Sequence, residues 1–368
     1  MRVVNPTAYA SGWNVGHQPD GREAAVVVVK GTFVLSACDG RASALAERQL
    51  PLLEADVQGR DPARHAPIHE HDFALFKPRC DVLLRASAHA PGGRLVANLE
   101  AGFMVGACRK ALKVWGRREW RKGLLGVTAS GAEPFLVQPI TYDHAFGGMH
   151  VDAQDPTRVD VYRGNPAGTG YARADHLAAG LPLPVTEALG EPVTRPDGHY
   201  RPMAFGPVGR HWLPRCSYAG TYDEQWQRER MPYLPADFNP LYLQAAPADQ
   251  QMAYPQGGEP IVLLNLTPSS RLEARLPADQ VTVRFVRHRA PLVEVAAHLD
   301  TIVIEPDEDR LSLTWRASCP LVRDPFELVE MQIEASSSRT PALLRSRQTG
   351  KKYYGGLSAL VRAWGGEF

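Results

Sequence analysis

The chain has 368 residues, 41 of them basic and 40 acidic, for a formal net charge of +1. That balance argues against a nucleic-acid binder, although it leaves room for a local basic patch. No run of about 18 apolar residues predicts a membrane-crossing helix. The 44% hydrophobic content allows a sizeable core and the length suits about two or three domains, or one large all-β body.

The first residues, MRVVNPTAYASGWNVGHQPDG, lack the apolar centre of a secretory leader, which predicts a cytoplasmic protein. Glu23–Ala37, EAAVVVVKGTFVLSA, carries four consecutive valines and then alternates through Thr32 and Val34. This reads as a buried strand and its continuation. AERQLPLLEADV is interrupted by Pro51 and reads as coil with a short strand. Alternation at Val82, Leu84 and Ala86 predicts a strand over Asp81–Ala88. GRLVANLEAGFMV and ACRKALKVWGRREW read as two arms of a meander turning near Gly102–Ala107. WRKGLLGVTASGAEPFL adds a turn and a strand, so residues 1–135 predict an antiparallel β unit.

Residues 136–258 change character. Proline, glycine and aromatic residues crowd together and helical periodicity nearly vanishes. Disordered segments are poor in aromatics, so this stretch reads as a rigid, loop-built lobe packed on a β scaffold. Asp175–Ala179 predicts a helical turn, and Tyr222–Arg230 a short helix that Pro232 ends.

From Glu259 strands return through PIVLLNLT, LEARLP, VTVRFVRH and LVEVAAHLDTIVIEPDEDRLSLTWRASCPL, with a hairpin tip at Asp307–Asp309. DPFELVEMQIEA suits a helix or a strand. Helix is preferred because Asp324 followed by Pro325 is a helix-start signal. TGKKYYGGLSALVRAWGGEF predicts a terminal helix. The expected fold is mainly β: antiparallel sandwich-like units at 1–135 and 259–368, a loop-rich middle at 136–258, and few short helices. The three parts can also form one continuous domain.

Cys38, Cys80, Cys108, Cys216 and Cys319 are widely spaced with no CxxC pair, which predicts reduced structural thiols rather than a zinc or redox site. His65, His69 and His71 with Asp72 have alternate spacing that suits metal ligation, but no second cluster completes a set, so a polar loop is preferred. The Asp143–His144 dyad invites a general-base reading. It lacks a nucleophile signature such as GxSxG, and a turn histidine is preferred. GNPAGTGY has no GK[ST] and reads as turns that need glycine. Arg117, Arg118, Arg121 and Lys122, around Trp115 and Trp120, read as a solvated strand edge. No catalytic residue, cofactor or metal is predicted.

FALFKPRCDVLL, KVWGRREW, PFLVQPITYDHAFGG, NPAGTGY, FGPVGRHWLPRCSYAGTYDEQW, PYLPADFNPLYLQAAPADQQ and GGEPIVLLNLTP follow in this order. This series resembles the bacterial family known as domain of unknown function 2169, found beside type VI secretion genes. Cys80 departs from the small hydroxyl residue expected there. The resemblance implies a non-enzymatic adaptor or chaperone that holds a toxic effector, or its PAAR-like tip, and helps load it onto the spike protein VgrG. It supplies no catalytic residues; the charge balance and the lack of a long apolar run predict no nucleic-acid or membrane partner. Tyr142, His144, Phe146, Trp212, Arg215, Tyr222 and Trp226 are the expected partner contacts, chosen from the density of aromatics. The competing readings are a carbohydrate-active enzyme using carboxylates such as Asp143, Asp223, Glu224 or Asp237, and a structural component of the secretion apparatus.

Overall fold

A computed structural model describes residues 2–336 apart from 19, 36–39, 60, 62–64, 124–125, 153–154, 156, 174–179, 289 and 323. The predicted terminal helix, the predicted turn at Asp175–Ala179 and Cys38 lie outside the described residues. The rest is mainly strand, with one short helix, isolated 3₁₀ turns and several sheets, none closed.

Three larger sheets form the body. The first orders Gln251–Met252, Cys80–Leu84, His298–Glu305, Arg310–Pro320, Glu23–Val34 and Ala10–His17, with Ala44–Leu45 against the end of Glu23–Val34. Its pairs are antiparallel except Cys80–Leu84 beside His298–Glu305. The second orders Thr186–Glu187, Cys108–Trp115, Asn98–Val105, Pro260–Leu264 and Arg271–Arg275, all antiparallel. The third orders Arg2–Val4, Leu328–Ala335, Val281–Arg287 and Val293–Ala296, with its first pair parallel.

Strands from the first and last thirds of the chain lie side by side in all three sheets. The longest ladder runs from Val34 opposite Arg310 to Ala24 opposite Pro320. A boundary at residue 135 or 259 would cut such ladders, so the three sequence spans are interwoven.

The valine run is buried because both faces of its strand are covered. Ala25, Val27, Val29 and Phe33 join one large apolar cluster with Leu313 and Trp315 of the same sheet and Phe103 and Leu112 of the second. The opposite face holds Val26 and Val28, then turns polar at Lys30 and Thr32 while staying buried. Residues 50–53 and 69–72 cover that polar end.

The Asp324 start signal is read by the chain for one turn only. Its side chain accepts from Phe326 N at 2.8 Å and begins a 3₁₀ turn at Pro325–Glu327. Leu328–Ala335 is then a strand, not the expected helix. Met331, Ile333 and Ala335 alternate into the core between two flanking strands, and this burial outweighs helical propensity. The Asp307–Asp309 hairpin forms as expected, closed by a 3₁₀ turn and by Asp309 at φ +50°.

Turns and short bridges dominate 136–258. Asn165 is fully buried and donates to the carbonyls of Tyr142 and Phe146 at 2.8 and 3.2 Å. A Cβ on Gly147, at φ +152°, would meet Asn165 O at 2.2 Å; one on Gly168 would meet Asn165 Nδ2 at 2.4 Å. Close backbone approach therefore explains these glycines, with positive φ a second reason at Gly147 alone. The predicted helix is present as Glu224–Glu229, capped by the Asp223 carboxylate accepting from Trp226 N at 2.8 Å.

Candidate functional site

A groove of about 320 Å³ opens in the turn-rich belt. Its walls are largely apolar: Pro202, Val208, Leu213, Pro214, Leu241 and Ala246 line it, together with the rings of Tyr142 and Tyr218. Leu213 is 37% exposed at the rim, and Ala248 is also exposed. Ligand-sized clefts with apolar walls and a few convergent polar groups are the usual form of binding sites.

The polar groups gather at one end. Lys110 Nζ donates to Asp249 Oδ1 at 3.1 Å and to Gln250 Oε1 at 2.9 Å. Arg201 approaches the other Asp249 oxygen at 3.7 Å. One carboxylate thus serves two cations, leaving a local excess of positive charge. Burial pushes the Lys110 ammonium down to about 8, against the pull of Asp249.

Buried anchors hold the walls. Arg215 is 3% exposed and donates to both Glu70 carboxylate oxygens and to the carbonyls of Tyr242 and Val208. Burial would raise the Glu70 carboxyl, but the Arg215 hydrogen bond and charge prevail and hold it below its usual range. Behind Tyr142 the Trp212 ring packs edge-on, with centroids 5.5 Å apart at 85°. Segment 244–246 is fixed by Asp81, whose carboxylate accepts from Gln244 Nε2, Ala245 N and Ala246 N.

Of the seven expected contacts, Tyr142 and Arg215 line the groove and Trp212 supports it from behind. Tyr142, Phe146, Trp212 and Arg215 are each 3% exposed or less. None of the four is freely exposed: Tyr142 and Trp212 belong to the large apolar cluster shared with the sheets, so aromatic density here marks interior as well as groove lining. Phe146 sits in a separate cluster, with Tyr200 at 4.9 Å and Tyr162 at 5.0 Å between ring centroids. His144 is half-buried, with Nδ1 3.2 Å from Thr141 Oγ1. Tyr222 is 53% exposed and packs on Trp226 at 4.7 Å, away from the groove lining. Trp226 is half-buried and donates to Tyr233 O.

Sequence reasoning missed Lys110, Arg201, Asp249, Leu213, Tyr218 and Leu241. The RHWLPRCSY string carried the nearest signal, whereas Lys110 arrives from a distant strand.

The remaining candidates are dispersed. Asp143 Oδ1 lies 3.1 Å from His65 Nδ1 and accepts from Ala66 N, so its carboxylate is engaged outside the suggested Asp143–His144 dyad. Asp223 caps the helix, Asp237 accepts from Thr221, and Glu224 is exposed on that helix. Arg118 corrects the solvated-edge reading: it is 7% exposed, donates to Glu187 at 2.7 Å and lies over the Trp115 ring. The four described cysteines are free thiols, and no metal-holding group of three or more ligand residues occurs among the described residues.

His69 and His71 point to a pH dependence. Burial holds the His69 imidazole below its ordinary value; Lys30, Arg85 and Arg310 add to this while Glu305 opposes it. Burial also lowers His71, helped by Arg210 and Arg316 and opposed by Asp56 and Glu70. An unfolded histidine gains its proton near pH 6.5, before either folded one does. The unfolded state then binds more protons, so stability falls as pH drops below about 6.5. Urea melts at about pH 7.5 and about pH 5.5 should show the loss, at most about 1.4 kcal/mol per pH unit per histidine. The His69→Gln, His71→Gln double variant should show a smaller loss, and an undiminished one contradicts this assignment.

The family model described as "Uncharacterized protein conserved in bacteria (DUF2169)" matches residues 20–316. No curated protein and no solved structure matches the chain.

Proposed function

We propose, from the premise that the chain belongs to this bacterial family, that it is a non-enzymatic adaptor that docks a client polypeptide in the belt groove. The sequence resemblance supports reading this as a role in type VI secretion. There the client is a toxic effector or its PAAR-like tip, delivered to the spike protein VgrG in the cytoplasm.

One observation carries the reading: the groove joins apolar walls to an end where Lys110 and Arg201 share the single Asp249 carboxylate. Its charge complement is a client segment whose apolar side chain enters the groove next to a carboxylate. Rigid walls set by Arg215, Trp212 and Asp81 keep the ordering cost of binding low.

The test is co-expression with the effector encoded beside this gene, followed by affinity measurement on the purified pair. Ala248→Trp fills the mouth, and Leu213→Glu places a charge on the rim; both positions are exposed enough to leave the fold intact. Each should weaken binding by roughly 30-fold or more, as loss of a hot-spot contact of about 2 kcal/mol implies. Unchanged affinity in both folded variants would move the docking surface elsewhere.

A further inference from the structure

The polar face of the first sheet floors a second cavity, of about 210 Å³. One water needs only roughly 10–15 Å³, so this space accommodates a small molecule. It is distinct from the groove. The Arg215–Glu70 pair and segment 244–246 stand between them, because Glu70 and Ala245 face the cavity while Arg215, Gln244 and Ala246 face the groove.

Strand register builds the floor. Lys30 lies opposite Thr314, Thr32 opposite Ser312, and Glu305 opposite Arg310. Lys30, Glu305, Ser312, Thr314 and Arg316 are all 7% exposed or less, which is unusual chemistry for a covered sheet face. Buried polar groups normally find partners, so exceptions need a cause. Here Glu305 Oε1, Ser312 Oγ and Arg316 Nε have no hydrogen-bond partner among the described residues. The second Glu305 oxygen accepts from Arg310 Nε at 2.7 Å, while Oε1 lies 3.8 Å from Arg85 Nη1 and 3.6 Å from His69 Nε2, within ion-pair range but beyond hydrogen-bond distance.

The two ends of the cavity differ. At one, Glu305 Oε1 has ionic neighbours but accepts no hydrogen bond among the described residues, which leaves room for a donor. At the other, Lys30 Nζ is held among the described residues by Asp72 alone, at 2.9 Å. An ammonium carries three donors, so Lys30 has capacity for an acceptor, beside the Ser312 and Thr314 hydroxyls. Leu50, Leu53, Leu83 and Val303 supply apolar wall between the ends.

We propose that this cavity binds a small zwitterionic amino acid: its ammonium meets Glu305, its carboxylate meets Lys30 and the hydroxyls, and a short aliphatic frame spans the middle. The inference stands on this cavity's own geometry and holds whether or not the groove docks a client.

The test is calorimetric titration and thermal melting of the full chain with glycine, β-alanine, 4-aminobutyrate and 5-aminovalerate. Acetate and ethylamine, each carrying one of the two charges, serve as controls. One member of the series should bind saturably and raise the melting temperature by roughly 3 °C or more at saturation. Each control should bind at least about 10-fold more weakly. Glu305→Gln should lower affinity by at least about 10-fold. Should that variant fail to fold, Ser312→Ala removes the unpartnered hydroxyl with little disturbance and should weaken binding several-fold. The proposal is overturned if no member of the series binds, if a control binds as tightly as the best zwitterion, or if Ser312→Ala and a folded Glu305→Gln both bind like the parent protein.

Discussion

Replacing Asp81 with alanine should lower the free energy of unfolding by about 3–5 kcal/mol. Asp81 is fully buried and accepts from Lys77 Nζ at 2.7 Å, Gln244 Nε2 at 2.6 Å, Ala245 N at 2.8 Å and Ala246 N at 3.2 Å. The substitution strands the buried Lys77 charge and leaves three N–H groups without an acceptor. Desolvated groups without partners cost more than the net value of the bonds they lost. Adding Lys77→Met removes the stranded charge and should recover part of the loss. Denaturant melts of the single and double variants check this. A loss under about 1 kcal/mol for the single change would mean that Asp81 does not tie the 244–246 segment to the sheet.

Trp212→Ala should cost about 3–5 kcal/mol, the usual range for emptying a large buried aromatic site. Its ring is 1% exposed and braces Tyr142, which is itself 3% exposed. Tyr222→Ala makes the contrast: that ring is 53% exposed, and its loss should change stability by about 0.5 kcal/mol or less. Thermal or denaturant melts separate the two. Similar small losses at both positions would contradict the division into interior prop and exposed ring.

The elements most legible in the sequence are those with strong local period. The meander around Gly106 and the Asp307–Asp309 hairpin depend on neighbours close in the chain, and the valine run shows through its own apolar composition although its longest ladder is with distant Arg310–Pro320. Leu328–Ala335 was misread because a capping signal and an ambiguous apolar pattern agreed on helix, while pairing with Val281–Arg287 and Arg2–Val4 decided for strand. The interweaving of the terminal thirds was illegible for the same reason: which distant strands pair is fixed by shared core burial, and local pattern does not encode it.

The candidate site was half legible. The belt stood out by composition, and Tyr142 and Arg215 do line its groove. Composition could not tell an aromatic that fills an interior from one that faces a partner, and the structure buries Phe146 and Trp212. The Lys110–Asp249–Arg201 end unites residues from three separate parts of the chain. The buried polar cavity was equally hidden. Lys30 reads as an ordinary interruption of a valine strand until Ser312, Thr314 and Glu305 are aligned with it across the sheet.

Photo-crosslinking from position 213 tests the docking account most directly. A photoreactive residue replaces Leu213 in cells that also produce the adjacent effector, and an exposed control at Thr128 carries the same group. The account predicts adducts from position 213 that contain effector or tip peptides, with none from position 128. A complex that co-purifies intact while crosslinking only from position 128 would contradict it.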